Sequence, residues 1–238
     1  MKKYLFVLLV SCFSMAVSAQ QPPKLNEKSI VRDSTGFQYP YAIWTRLFQS
    51  GSYGIRTVRT QQAGETEFLL YPLSAADIAR RMESLPKPRK SSAFRAGTKL
   101  ANFKTVDMNG NKYSLKDLAG KVVVLNFWFI NCPPCRQEIP ELNKMVTRYK
   151  DNPDVIFLAI ALDDASAIKD FLKTNPFTYQ IVDRGQYLAS QYRVRAYPTH
   201  VVLDRSGTIA FETEGLAMNT VYWIDKTIQE KLQEPGNL

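Results

Sequence analysis

The amino-acid sequence predicts an α/β protein with a mixed central sheet and helices on both faces, preceded by a small α+β region. From residue 94 onward, strongly apolar runs typical of strands that are covered on both faces alternate with helical patterns. A polar stretch with two prolines, SLPKPRKSSA at residues 84–93, separates them from a shorter first region. We therefore expect an N-terminal region at 20–83, a linker at 84–93 and the main domain at 94–238.

Residues 1–19 have the pattern of a secretory signal peptide. A basic start precedes an apolar stretch from Tyr4 to Val10, and the small residues of VSA precede Gln20. We therefore expect an exported, periplasmic protein. The segment LVSC is an alternative lipoprotein processing site, which would leave a lipid anchor on Cys12. No later stretch approaches the about 20 apolar residues of a spanning helix, so the processed chain is not expected to be transmembrane.

The charge balance is basic without forming a nucleic-acid pattern. The formal net charge is +9, which falls to +7 when Lys2 and Lys3 leave with the signal peptide. A basic domain invites a nucleic-acid interpretation, but the basic residues are scattered and the densest cluster, Lys87 to Lys90, lies in the proline-containing stretch. We expect no nucleic-acid partner. The chain also lacks a GxGxxG motif opening a βαβ unit, so no dinucleotide cofactor is expected.

The N-terminal region has the pattern of a small α+β unit. Its predicted elements are a strand at Ile30–Val31, a helix within Pro40–Phe48, a hairpin of Ile55–Arg59 and Glu67–Tyr71, and a helix from Ser74 to Met82. It contains no cysteine, no histidine and no glycine-rich phosphate loop. Its aromatic residues are therefore interpreted as core, and the region carries no predicted chemistry.

The main domain is predicted as an ordered series of strands and helices. A hairpin at Asn102–Val106 and Lys112–Ser114 comes first, followed by a buried strand within Lys121–Ile130 and a helix with an apolar stripe at Leu142, Met145, Val146 and Tyr149. Next come a strand at Val155–Leu162, a helix at Ala165–Lys173, a strand at Thr178–Val182 and a short helix at Gln186–Tyr192. A second hairpin at Thr199–Leu203 and Thr208–Phe211 precedes a closing helix with a stripe from Val221 to Leu232.

Two cysteines lie where the apolar strand ends and the helix begins. Once Cys12 leaves with the signal peptide, Cys132 and Cys135 are the remaining thiols. A helix start favours an anion, because its first N–H groups have no partner and the helix dipole is positive there. Cys132 is therefore predicted to be the accessible attacking thiolate and Cys135 the resolving thiol. Pro134 suits a helix start, and Pro140 is predicted to kink the helix.

Three segments resemble one known family in the right order. They are VDMNGNKYSLKDLAGK, VVVLNFWFINCPPCRQEIPEL and YRVRAYPTHVVLDRSGTI, and together they span about 140 residues from Gly97 onward. The chain resembles thioredoxin-fold thiol-disulfide oxidoreductases of the TlpA/ResA type. The resemblance implies a thioredoxin-like fold and protein disulfides and thiols as substrates. The leading hypothesis is a reductant, which needs electrons from a membrane donor because no cofactor motif is present, while the direction of electron flow depends on a reduction potential that the sequence does not fix. Cytochrome c maturation is one role that the resemblance implies, and repair of exported thiols is another.

The resemblance also assigns residues around the redox pair. Pro198 matches a proline whose preceding peptide bond is cis, which leaves the backbone of Tyr197 free to pair with an extended substrate peptide. Such a proline should also discourage metal binding by the two thiolates. Asn126 stands where thioredoxin has a buried aspartate, so it tunes the site without accepting a proton. Trp128 belongs to a Phe-Trp pair and is interpreted as packing.

Glu138 and His200 each have two interpretations. Glu138 matches an acid of ResA-like members, three residues after Cys135 and on the same helical face. It is either the proton acceptor that helps Cys135 become a thiolate or an exposed helix carboxylate. His200, the only histidine, is interpreted as an ordinary strand residue in preference to a catalytic group.

Two other classes share parts of this pattern. A peroxiredoxin has a similar fold outline, but its active cysteine follows a threonine by three residues, where this chain has Phe129. A copper chaperone of the Sco type uses two thiolates spaced CxxxC and a distant histidine, whereas this chain has CxxC and His200. We expect no metal as a resident cofactor.

Overall fold

A computed structural model describes residues 24–59 and 66–234 of the 238-residue chain. The predicted signal peptide and the alternative lipid anchor at Cys12 lie outside the described residues. Over the part that is described, none of the helices combines the length and the apolar character needed to cross a bilayer.

The described chain divides into two compact units. Within the described residues, one comprises 24–46 with 54–59 and 66–71, and the other comprises 47–53 with 72–234. The elements of the N-terminal region are β1 (Ile30–Arg32), α1 (Tyr41–Gln49), β2 (Tyr53–Arg59), β3 (Thr66–Pro72) and α2 (Ala75–Ser84). The strands form a sheet in the order β1-β3-β2, with β1 parallel to β3. Ser74 caps α2 by accepting a hydrogen bond from the backbone N–H of Asp77, as expected for a helix that begins there.

The second unit contains the elements predicted for the main domain. They are β4 (Lys104–Val106), β5 (Lys112–Ser114), β6 (Val122–Trp128), α3 (Pro133–Arg148), β7 (Val155–Ala161), α4 (Ala165–Leu172), β8 (Gln180–Val182), α5 (Gln186–Gln191), β9 (Thr199–Leu203), β10 (Ile209–Glu214) and α6 (Thr220–Gln233). Helix α3 continues through Pro140 as one element, although a proline there removes one backbone hydrogen-bond donor.

A mixed five-stranded sheet organises this unit. Its strand order is β10-β9-β6-β7-β8. The central strand β6 is parallel to β7 and antiparallel to β9, while β8 is parallel to β7 and β10 antiparallel to β9. All seven residues of β6 are buried, which explains why its sequence is apolar almost throughout. The predicted α/β class with a thioredoxin-like mixed sheet is confirmed.

Alternating side chains of the strands divide the core between the two faces of the sheet. We call the first the α3 face: Val122, Val124 and Trp128 pack there with residues of α3, α4 and α6. The second, the α5 face, contains Val123, Leu125 and Phe127 with residues of α5 and the segment before β6. Helices therefore cover both faces, as predicted.

The segment predicted as a linker lies along the outer edge of β10. The carbonyl oxygen of Arg89 accepts a hydrogen bond of 3.0 Å from the backbone N–H of Glu214, and the N–H groups of Ser91 and Ser92 donate to the carboxylates of Glu212 and Glu214. Residues 84–93 therefore belong to the second unit, because their backbone satisfies the open edge of the sheet. The compact units differ in this respect from the boundaries predicted from composition.

Candidate active site

The two cysteines of the CPPC motif lie where the central strand β6 leads into α3. Cys132 is the N-cap residue of α3, and Pro133 and Pro134 occupy its first positions. The sulfur of Cys132 accepts a hydrogen bond of 3.3 Å from the backbone N–H of Cys135. The two cysteines form a disulfide with an S–S distance of 2.02 Å. The predicted helix start is thus confirmed, and an N–H group of the first turn points at the sulfur expected to attack.

Asp163, which lies between β7 and α4, holds the loop that precedes the cysteines. The backbone N–H of Ile130 donates to Oδ2 of Asp163 at 2.8 Å, and the N–H of Leu162 donates to the carbonyl of Trp128 at 3.1 Å. Sequence reasoning missed Asp163. Its position directly after the buried strand β7, at the same end of two parallel strands as the redox pair, is the signal that would have found it.

The disulfide has little exposed surface. Cys132 is 2% exposed and Cys135 is 1% exposed. Both belong to the core cluster of the α3 face, against which Phe129, Ile130 and Tyr197 pack. Cys132 was expected to be accessible, and this is wrong for the disulfide form. Apolar side chains cover the start of α3, where its sulfur lies.

The loop before β9 places a cis proline at this site. The Tyr197-Pro198 peptide bond is cis, as the resemblance implies. The carbonyl of Pro198 accepts a hydrogen bond of 2.7 Å from the N–H of Gly215, which follows β10. The ring of Tyr197 packs edge-on against Phe129 at 5.4 Å between centroids. Burial raises the pKa of the Tyr197 phenol, so this ring stays neutral.

Glu138 and His200 meet inside the protein. Oε1 of Glu138 lies 2.8 Å from Nε2 of His200, and the two side chains are 2% and 0% exposed. The alternative of an exposed helix carboxylate is therefore wrong for Glu138. His200 does lie on a strand, but it is paired with an acid one turn along α3 from Cys135, a contact that sequence reasoning missed.

The register of the sheet contained the signal for this contact. His200 is directly opposite Asn126 in the β6–β9 pairing, so the two residues lie on the same face of the sheet. Since Val124 and Trp128 point to the α3 face, Asn126 and His200 do so too. Once the pairing of β6 with β9 was known, His200 was thus a candidate site residue, because it lies opposite Asn126, a predicted tuning residue.

Trp128 and Asn126 are both buried, as expected for Trp128, which was interpreted as packing. The indole of Trp128 is fully buried and contacts the rings of Phe171 and Phe177 at 5.6 and 5.3 Å between centroids. Asn126 is 1% exposed, and its Oδ1 has no hydrogen-bond partner among the described residues. Within the described ranges, no group of three or more His, Cys, Asp or Glu side chains is arranged to hold a metal ion.

Solved structures share this fold over more than half of the chain. A Chlorobium tepidum protein proposed to be the thiol:disulfide interchange protein DsbE is 27% identical, with a TM-score of 0.53, over 58% of this chain and 99% of its own. A Bacteroides thetaiotaomicron protein proposed to be a protein disulfide isomerase is 26% identical, with a TM-score of 0.55, over 61% of this chain and 95% of its own. Fold and disulfide together define a thiol-disulfide oxidoreductase with a thioredoxin-like fold.

Sequence relatives specify the family. Residues 96–212 match the AhpC/TSA family. The thiol-disulfide oxidoreductase ResA of Bacillus thuringiensis subsp. konkukian is 33% identical over 128 residues, which is 53% of this chain and 73% of that protein. The thioredoxin-like protein YneN of Bacillus subtilis is 32% identical over 123 residues, 51% of this chain and 72% of its own length. The chain belongs to the ResA family of thiol-disulfide oxidoreductases.

Proposed function

We propose that this protein is an exported, periplasmic reductant that exchanges disulfides with partner proteins through the CPPC pair. The observation that carries the proposal is the Cys132–Cys135 disulfide at the N-terminus of α3. Reduced Cys132, supported by the N–H of Cys135, attacks a disulfide of the partner and forms a mixed disulfide. Cys135 then attacks the sulfur of Cys132, which releases the partner as a dithiol and restores the pair as a disulfide.

The partner is bound as an extended peptide beside the cis proline. We assign this role to the backbone of Tyr197 at Pro198, a place where a peptide can add to the protein through main-chain hydrogen bonds. The loop after Gly215, which is bonded to Pro198, presents Leu216 and Met218 with 40% and 43% of their surface exposed. Since Cys132 is almost completely covered, a bound peptide must displace the side chains that cover it. Apolar contacts of the peptide with Leu216 and Met218 compensate for the apolar surface that this displacement exposes.

Glu138 serves as the proton acceptor for Cys135. It lies one turn along α3 on the same buried side of the helix. Asn126 cannot take a proton, so the role of proton acceptor falls to Glu138. A membrane donor resupplies electrons, and cytochrome c maturation or repair of exported thiols is the biological role that we propose.

Trapping experiments test the exchange mechanism. Cys132→Ala should abolish reduction of insulin by the protein, because the attacking sulfur is lost. Cys135→Ala should retain attack and accumulate mixed disulfides, visible on non-reducing gels. The Cys132→Ala/Cys135→Ala double variant is the matched control and should capture nothing. A Cys135→Ala protein that never captures a partner would contradict the mechanism.

The reduction potential tests the direction of electron flow. Equilibration of the pair in glutathione buffers measures it directly. A value near about −270 mV, as for thioredoxin, would support a reductant, whereas one near about −120 mV would identify an oxidant.

A further inference from the structure

Two side chains that can each carry charge are buried together on the α3 face, one turn along the helix from Cys135. Glu138 from α3 and His200 from β9 are joined at 2.8 Å and are almost completely removed from solvent. An uncompensated buried charge is costly, so such a pair is stable only when its members compensate each other. Among the described residues, His200 is the one basic side chain that is buried, so no lysine or arginine shares this duty.

The neighbours of the pair that the sheet register and the core cluster identify are neutral. Asn126 on β6 and Thr213 on β10 flank His200 in the sheet register, and the disulfide lies on α3. Tyr179, just before β8, belongs to the same core cluster. Its own burial and, second, the charge of Glu138 raise the pKa of Tyr179 well above its ordinary value, so its hydroxyl stays protonated.

Each member of the pair keeps one unbonded polar atom. Oε1 of Glu138 faces His200, whereas Oε2 has no protein hydrogen-bond partner among the described residues. Nδ1 of His200 likewise has none within those ranges. One carboxylate oxygen is thus fixed and the other is available, the arrangement expected of a base whose partner orients it.

We propose that His200 is a positioning residue that holds Glu138 through Oε1 and shares one proton with it, so that the pair stores the proton that Cys135 gives up. This inference rests on the proposed function and on the assignment of Glu138 as acceptor. The disulfide form has one shared proton on the pair, carried either as carboxylic acid with neutral imidazole or as carboxylate with imidazolium. Both arrangements leave the buried pair without net charge.

The proton and electron balance closes within the site. When a dithiol donor reduces the disulfide, the electron pair of the broken S–S bond leaves on the Cys135 sulfur, and the pair passes its proton to that sulfur. Glu138 is then a carboxylate that accepts a hydrogen bond from neutral His200. When Cys132 holds a partner in a mixed disulfide, Cys135 returns its proton to the pair and attacks the Cys132 sulfur, and the partner sulfur leaves with the electrons.

A chromogenic disulfide separates the two steps. Reduced protein is mixed with dithiobis(nitrobenzoate), which releases one coloured thiolate when Cys132 attacks and a second when Cys135 resolves the mixed disulfide. Each release is measured by stopped flow across pH for wild type, His200→Gln, His200→Leu, Glu138→Gln and the His200→Gln/Glu138→Gln double variant. Gln at position 200 can still donate a hydrogen bond but cannot hold the proton. Tyr149→Phe, which removes a hydrogen bond between α3 and α6, is the structural control.

The expected result is a defect confined to the second release. In both His200 variants the first release should be unchanged, while the second should be slower by about 10- to 100-fold in His200→Leu, the scale of loss when a reacting group is misplaced. In His200→Gln the midpoint of the pH dependence of the second release should move to higher pH. The pair then has one place for the proton instead of two and accepts the Cys135 proton less readily. The double variant should match Glu138→Gln alone, since His200 acts through Glu138.

Other outcomes would overturn the proposal and show which part failed. If the rate of the second release in His200→Gln equals that of wild type at every pH, His200 only fills space in the core. A double variant slower than Glu138→Gln would mean that His200 acts independently. An unchanged Glu138→Gln would remove the acceptor and the inference with it, while the two colour changes still report intact exchange. A wild-type protein that fails to release the second thiolate would refute the proposed function itself.

Discussion

The two faces of the central sheet are built from the same strands but differ in how many of their buried polar atoms have hydrogen-bond partners. On the α5 face, the hydroxyls of Tyr113 and Tyr192 are bonded to Asp107 and to the carbonyl of Ala101, at 3.1 and 2.7 Å. On the α3 face, several buried polar atoms lack a partner among the described residues. They are Asn126 Oδ1, Trp128 Nε1, Glu138 Oε2, Tyr179 OH and His200 Nδ1.

This contrast has an energetic meaning. A buried polar group without a hydrogen bond costs about 1–3 kcal/mol, and the α5 face also has such an atom among the described residues, Oε1 of Gln180, which pairs with Leu158 in the sheet. The α3 face, with the larger number of such atoms, therefore gives up more stability. The sacrifice lies on the face that holds the disulfide. We infer that the α5 face specifies the fold, whereas the α3 face keeps two proton-accepting atoms, Oε2 of Glu138 and Nδ1 of His200, without a hydrogen-bond partner and available for chemistry.

The largest expected effect is on stability at the α5 face. Phe127 is fully buried on this face and contacts the rings of Phe94 and Tyr192. Phe127→Ala should lower the free energy of unfolding by about 3–5 kcal/mol, because it leaves a cavity. Urea unfolding measures this loss. The remaining folded protein should keep the wild-type ratio of the two thiolate release rates; a changed ratio would mean that both faces take part in the chemistry.

Removing the buried pair of Glu138 and His200 tests whether the α3 face, unlike the α5 face, gains stability when its polar side chains are replaced. His200→Leu alone should cost about 3 kcal/mol, because Glu138 is left without its partner. Glu138→Leu together with His200→Leu should be neutral or stabilising, since no polar atom of the pair then remains buried. Both are compared by denaturant unfolding of the disulfide form. A double variant as unstable as the sum of the single ones would show that the pair serves stability.

A neighbouring position should supply a substitute base. Asn126 lies opposite His200 and cannot accept a proton. Asn126→Asp in the Glu138→Gln background should restore the resolving step by about tenfold, a fraction of the 100-fold or more that a general base contributes. The rate of the second thiolate release measures it. Asn126→Asp combined with Glu141→Gln, an exposed carboxylate of α3, is the control in which no rescue is needed.

The smallest expected effect lies at the sheet edge, away from both faces. The backbone N–H of Ser92 lowers the pKa of Glu214, burial partly opposes this, and the Ser92 hydroxyl and Arg89 lower it further. Because the pKa in the folded protein is depressed, the stabilisation is present above the unfolded value of about 4.3 and is lost as pH falls through the folded value.

Glu214→Gln should therefore cost about 1 kcal/mol at neutral pH and progressively less below about pH 4. Unfolding of the variant and of wild type, compared at several pH values, gives this difference. A difference that stays constant with pH would show that the carboxylate charge does not hold the 84–93 segment.

Much of the fold follows from local sequence signals. The continuous apolar run of β6, the cap at Ser74 and the stripe of Leu142 and Met145 on α3 each specify a local structure whose side chains have few alternatives. The cysteine pair was predictable for the same reason, since a strand that runs into a helix fixes which cysteine occupies the helix start. The segment at 84–93 was misjudged because its backbone partners lie about 120 residues away on β10.

The sequence by itself determined the order of strands and helices, the class of fold and the position of the cysteine pair at a helix start, because these depend on spacing within a few turns of chain. Only the tertiary structure decided that Glu138 is buried, that His200 holds it and that Cys132 is covered. The first two facts arise where Glu138 of α3 meets His200 of β9, and a contact between residues 62 positions apart leaves no local pattern. The third arises where Phe129, Ile130 and Tyr197 pack around the start of the helix. Register within the sheet, which no single segment encodes, places His200 opposite Asn126.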